Sequence, residues 1–135
     1  MDYYAHKINQ LARTFNKKLN EGISQHGLFA SQWPIIIYLV EHKICTQVEL
    51  SHYLNIEAPS ITRTIGRMEL EGLISRQEGE DRRVRHIRLT DKALELYPVL
   101  KMTADQIEAN ALRDLDPQEL EIFSRVLKKM THNLI

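Results

Sequence analysis

The densest chemistry in this sequence lies in Arg82-Arg83-Val84-Arg85-His86-Ile87-Arg88, four arginines within seven residues. Behind Gly79-Glu80-Asp81, such a cluster repels itself unless an anion receives it. A second group lies upstream, where Ile61, Ile65 and Met68 recur at helical spacing and must face inward. The opposite face of that helix presents Pro59, Arg63, Gly66 and Arg67, with Ser60 and Thr62 at its borders. Small and hydroxylated residues at its start permit close approach to a groove, and arginine can take guanine O6 and N7 bidentately. Ser60, Thr62 and Thr64 are candidates for bonds to phosphates or bases. A polar helix face that binds nothing accounts for this helix equally well. The arginine cluster tips the balance, because a hairpin tip of that size can follow phosphates or enter a narrow minor groove.

These residues need elements to position them. Thr46-Gln47-Val48-Glu49 has the form of a capping box and predicts a short helix to Tyr53. Leu54-Asn55-Ile56 predicts a tight turn with a left-handed Asn55, and the next helix begins around Glu57 to Pro59. That helix closes at Glu71-Gly72-Leu73, with Gly72 in the left-handed position after its end. Leu73 to Glu78 and Arg85 to Leu89 then read as two short strands, a hairpin with a charged tip.

Tyr4, Ile8, Leu11, Phe15, Leu19 and Ile23 mark an amphipathic first helix, which Gly22 and Gly27 are expected to end. A second follows Ser31 as N-cap, with Pro34 in its first turn and Ile36, Ile37 and Val40 inward, and stops near Lys43. Thr90 caps a long helix carrying Leu96, Leu100, Ile107 and Ala111, which Pro98 should bend. Asp116-Pro117-Gln118-Glu119 opens the last helix. Its stripe of Leu120, Phe123, Leu127, Met130 and Leu134 forms a seam wanting a partner helix. The expected fold is mainly α with a small β-wing (α+β), one domain over 1–135. Within it, 31–90 is a winged helix-turn-helix, and 1–30 and 91–135 are flanking dimerisation helices.

Composition narrows the function classes. With 135 residues there is no room for a second catalytic domain, and no nucleophile–base pair, glycine-rich phosphate loop or paired carboxylate is visible, so an enzyme is not expected. The run Ile35 to Val40 is far short of the ~20 residues of a membrane span, the N-terminus lacks a secretory pattern, and the one cysteine forms no internal disulfide; a cytoplasmic protein is expected. Formal net charge is zero, which disfavours a non-specific, histone-like DNA coat. Charge is unevenly spread, since Asp105, Glu108, Asp114, Asp116, Glu119 and Glu121 face a single Arg113 between 105 and 121.

Asp81-Arg82-Arg83 and Arg88-Leu89-Thr90, after the helix from Ser60 to Glu69 and its closing Glu71-Gly72-Leu73-Ile74-Ser75-Arg76, resemble the MarR family. The resemblance covers the wing domain residue by residue, and the helical order extends it over essentially the full chain. It implies a triangular homodimer, built on the N- and C-terminal helices, whose two winged domains grip a palindromic operator in double-stranded DNA, usually as a repressor. It also implies that Arg83 enters the minor groove with Asp81 orienting it. Arg82 and Arg85 then meet phosphates, while Arg88 shares a solvated strand face with His86.

Members of the family release DNA when a phenolic ligand, an oxidant or a metal acts near the dimer domain. Family oxidant sensors carry a cysteine in the N-terminal helix, where this chain has none; Cys45 reads as a buried structural thiol, with redox regulation through it the alternative. Zinc-sensing relatives use a histidine pair on the long C-terminal helix, and 91–112 contain no histidine. His42, Cys45 and His52 straddle a helix break and match no zinc spacing, so neither metal nor cofactor is expected. Trp33, Tyr38, Phe15 and Tyr97 either line a pocket for a small aromatic or anionic effector or are core, and no motif marks an effector site. A winged helix that contacts protein instead of DNA is the remaining alternative.

Overall fold

The computed structural model describes residues 1–78 and 85–135. The first helix, α1 (Tyr4–Ile23), ends in a single 3₁₀ turn at Ser24–His26, closed by Gly27 at φ 77°. Gly22 does not terminate the helix as expected. It lies inside α1, where a Cβ would come within 2.5 Å of Thr103 Cγ2, so the missing side chain lets α1 approach the long helix α5 (Asp91–Ala111).

α2 (Trp33–His42) starts one residue later than expected, with Gln32 rather than Ser31 at its N-cap and Pro34 in the first turn. Its buried residues are Trp33, Ile35, Ile36 and Leu39, whereas Ile37 and Val40 are only partly covered. A helix so rich in apolar residues offers no single face to a periodicity argument, and packing chooses one.

A two-residue strand follows that the sequence did not signal. β1 (Cys45–Thr46) pairs antiparallel with β3 (Arg85–Leu89), Cys45 opposite Ile87, and β3 pairs in turn with β2 (Ile74–Glu78). The sheet therefore has three strands in the order β1-β3-β2 among the described residues.

Local chemistry sets the helix-turn-helix as expected. Thr46 Oγ1 accepts from the Glu49 amide at 3.1 Å while the Thr46 amide donates to the Glu49 carboxylate at 3.4 Å, opening α3 (Gln47–Leu54). Asn55 takes φ 53°, ψ 46°, and α4 (Ala58–Leu70) begins after Glu57. At its end the Leu73 amide donates to the Met68 carbonyl at 2.9 Å and the Gly72 amide to that of Glu69 at 3.1 Å, around Gly72 at φ 76°.

Thr90 caps α5 through the Ala93 amide, and the helix runs through Pro98 to Ala111, which is exposed. Asp116 caps α6 (Pro117–Leu134) with a second capping box to Glu119. One core unites Ile23, Ile36, Leu50, Ile61, Ile65, Met68, Ile87 and Leu100, so winged segment and terminal helices share their packing. The outer ends are different. α6 buries none of its residues, and Tyr4, Ile8 and Leu11 of α1 stand exposed. None of the described helices is long and apolar enough to cross a membrane.

Candidate nucleic-acid interface

α4 turns Ile61, Ile65 and Met68 into the core, which obliges the other side of the helix to face outward. Pro59, Thr62, Arg63 and Arg67 are exposed there, while Ser60, Thr64 and Gly66 are half-buried. Gly66 has nothing within 4 Å of where a Cβ would stand, leaving a shallow place between the two arginines.

The hydroxyls are partly committed to the fold. Thr62 Oγ1 donates to the Ala58 carbonyl at 2.9 Å and accepts from Gln47 Nε2 at 3.2 Å, tying the start of α3 to α4. Thr64 Oγ1 donates to the Ser60 carbonyl at 3.0 Å. Each oxygen keeps acceptor capacity, but its proton is used, which weakens both as donors to a phosphate.

The two arginines differ. Arg63 reaches only Ser60 Oγ, at 3.3 Å, among the described residues. Arg67 is held from two sides: its Nε donates to Glu71 Oε1 at 2.9 Å, and its guanidinium lies 4.3 Å from the centroid of the Phe29 ring. Glu71 is the i+4 residue and was readable as a partner; Phe29 comes from the turn before α2 and carried no local signal. An open cleft of about 500 Å³ lies here, lined by Asn16, Asn20 and Gln32 together with both arginines.

The wing is anchored through its stem. Arg76 of β2 faces Glu69 of α4 at 3.2 Å, and Arg88 of β3 donates to Gln77 Oε1 at 2.9 Å. Arg85 and Arg88 are exposed and His86 is half-buried. The wing-tip residues Asp81, Arg82 and Arg83 lie outside the described residues.

Cys45 is 2% exposed at the β1–β3 pair. Burial, reinforced by the Glu49 carboxylate, pushes its thiol up to about 11, so at neutral pH it is a protonated and poorly nucleophilic group. The four aromatic residues considered for an effector do not meet. Trp33 stacks on Tyr97 at 5.9 Å, and Trp33 with Phe15 borders a cleft of about 210 Å³ between α1 and α5. Tyr38 instead stacks on His42 at 4.0 Å and packs against Tyr53 at 4.6 Å, on the far end of α2. His42 is engaged there, its Nδ1 3.0 Å from the Tyr38 carbonyl.

Residues 26–84 match the model of the MarR family. An uncharacterised HTH-type transcriptional regulator of Bacillus subtilis, YwoH, is 38% identical over 123 residues, covering 91% of this chain and 90% of that protein. The crystal structure of a MarR transcriptional regulator from Methanosarcina mazei superposes with TM-score 0.89 at 26% identity, over 99% of this chain and 98% of the other. A mutant MarR from E. coli complexed with operator DNA superposes with TM-score 0.85 at 20% identity, over 93% and 91%, a likeness of fold.

Proposed function

This chain belongs to the MarR family of transcriptional regulators and is not an enzyme, and we propose that it is a cytoplasmic repressor that grips a palindromic operator as a homodimer. The observation that carries the reading is the outer face of α4. Arg63 stands exposed beside Pro59, Ser60 and an open Gly66, on a helix fixed by a capped α3 and a left-handed Asn55. That face fits a major groove, with Arg63 on a guanine and Ser60, Thr62 and Thr64 at its border. Arg67 belongs to the same face once its hold on Glu71 is released. Arg85 and Arg82 meet phosphates, and Arg83, oriented by Asp81, enters the minor groove.

Dimerisation through the terminal helices accounts for apolar residues that a lone chain leaves in water. Phe123, Leu127 and Leu134 of α6 are 50%, 41% and 86% exposed, flanked by half-buried Leu120 and Met130. In this reading 1–30 and 91–135 form the dimer and 31–90 the reading head. A small aromatic or anionic effector that wedges between the two parts releases the operator, and the cleft beside Trp33 and Phe15 suits a single ring.

Selecting bound fragments from random duplexes and sequencing them tests the reading. The expected product is a two-fold symmetric motif with half-site centres about 10 base pairs, or a multiple, apart. Arg82→Ala and Arg83→Ala should each reduce the salt slope of binding by roughly one unit for every phosphate they leave without a cation. If no duplex is enriched and the slope is flat, the surface serves a protein partner instead.

A further inference from the structure

Gln32 is the one buried polar or charged side chain among the described residues, 1% exposed. Both halves of its carboxamide are used. Oε1 accepts from the Phe29 amide at 3.0 Å, and Nε2 donates to Glu71 Oε2 at 3.3 Å. Glu71 Oε1 accepts from Arg67, and the Arg67 guanidinium returns to the Phe29 ring. These four residues close a ring between the turn before α2 and the end of the recognition helix α4.

The ring is tied at both ends to the terminal helices. One residue along the turn, the Ala30 amide donates to Asn20 Oδ1 of α1 at 2.6 Å. On the other side Lys92 Nζ of α5 donates to the Glu71 carbonyl at 2.7 Å. α1 and α5 are themselves locked together where Gly22 meets Thr103. Apolar packing tolerates small slips between elements, whereas a buried amide with both halves paired has one satisfied arrangement and loses its partners when displaced.

We infer that Gln32 is a positioning residue for operator reading: by joining the α1–α2 turn to Glu71 at the end of α4, it makes the terminal helices set the direction of the recognition helix. The inference rests on the dimeric DNA-binding reading above. If the terminal helices hold two heads together, the stiffness of this joint decides how strictly the spacing between half-sites is enforced. A loosened joint should widen the tolerated spacing rather than abolish recognition of a half-site.

Gln32→Met removes both hydrogen bonds at nearly constant volume. Binding is measured on the selected operator and on the same operator with two base pairs inserted between half-sites, and folding is followed by thermal melting. In the parent the insertion should weaken binding about 100-fold, and in the variant less than about tenfold. The double variant Gln32→Glu with Glu71→Gln exchanges the two roles and should restore the parental penalty to within about threefold. Gln32→Glu alone sets two carboxylates against each other, which must share a proton to keep the contact. Its spacing penalty should therefore recover as pH falls from 8 to about 5.5, while Arg67 and Lys92, the cations beside the pair, stay charged throughout.

A folded Gln32→Met protein with the parental penalty overturns the inference. So does a double variant that regains nothing together with a pH-independent Gln32→Glu. If Gln32→Met does not fold, the exchange and the pH series decide. A parent that enriches no duplex removes the DNA-binding reading as well, whereas a parent with a spacing preference that every variant shares removes this inference alone.

Discussion

Arg63 and Arg67 stand one turn apart on the same face, and replacing each by alanine should give opposite balances of affinity and stability. Arg67 has a native occupation. Its guanidinium over Phe29 contributes about 0.5–1 kcal/mol at so open a site. The ion pair to Glu71 adds roughly 0.3–0.5 kcal/mol, the low figure reflecting an Arg67 side chain 58% exposed. Arg67→Ala should thus destabilise the fold by about 1 kcal/mol and lower Tm by roughly 3–5 °C. Whatever Arg67 gains from DNA is offset by the same amount, so its removal should weaken operator binding less than about fivefold. Arg63, held only by Ser60, has little to give up. Arg63→Ala should leave Tm within about 1 °C but weaken operator binding by about 1–3 kcal/mol and relax preference at one base position. Fluorescence anisotropy on operator and random duplexes, paired with thermal melting, measures all four quantities. An Arg67→Ala protein that melts like the parent and binds as poorly as Arg63→Ala would refute the reasoning.

Three further outcomes are expected. With its thiol near pKa 11, Cys45 at pH 8 should react with a disulfide reagent at least about 100-fold more slowly than free cysteine. The same raised value stabilises the fold fully below about pH 8.5 and is lost as pH rises through 11, so Cys45→Ala should flatten that alkaline decline in urea titrations. Gly22→Ala drives a methyl onto Thr103 and should cost about 1–3 kcal/mol in urea unfolding, whereas Gly66→Ala, in open space, should gain about 0.5–1 kcal/mol while weakening operator binding. Phe123→Glu puts a charge into the α6 seam and should shift sedimentation from dimer toward monomer; an unchanged dimer would move the interface elsewhere.

The elements that were legible in the sequence are those whose cause is local. Thr46 with Glu49, Asp116 with Glu119, Thr90, Asn55 and Gly72 each satisfy backbone groups within a few residues, and each does in the structure what its type and spacing predict. Where the cause is distant the sequence is silent. β1 exists because Cys45 and Thr46 lie beside Ile87 and His86, forty residues later in the chain, and a two-residue strand has no alternation to detect. Gly22 reads as a helix stop because glycine is a poor helix former, yet Thr103 gives it a reason to be inside one.

The candidate site divides along the same line. Periodicity separates Ile61, Ile65 and Met68 from the polar face of α4 without any structure, because burial forces the partition. It cannot rank the residues on that face. A helical projection gives Arg63 and Arg67 equal standing, and what distinguishes them is a phenylalanine delivered by the turn before α2 and a carboxylate steadied by a buried glutamine. The arginine nearer that turn therefore helps hold the recognition helix in place, and the other is left free to reach a base. A protein that must couple a reading surface to distant helices gains from this unequal division, since a side chain free to search DNA cannot also report where its helix is held.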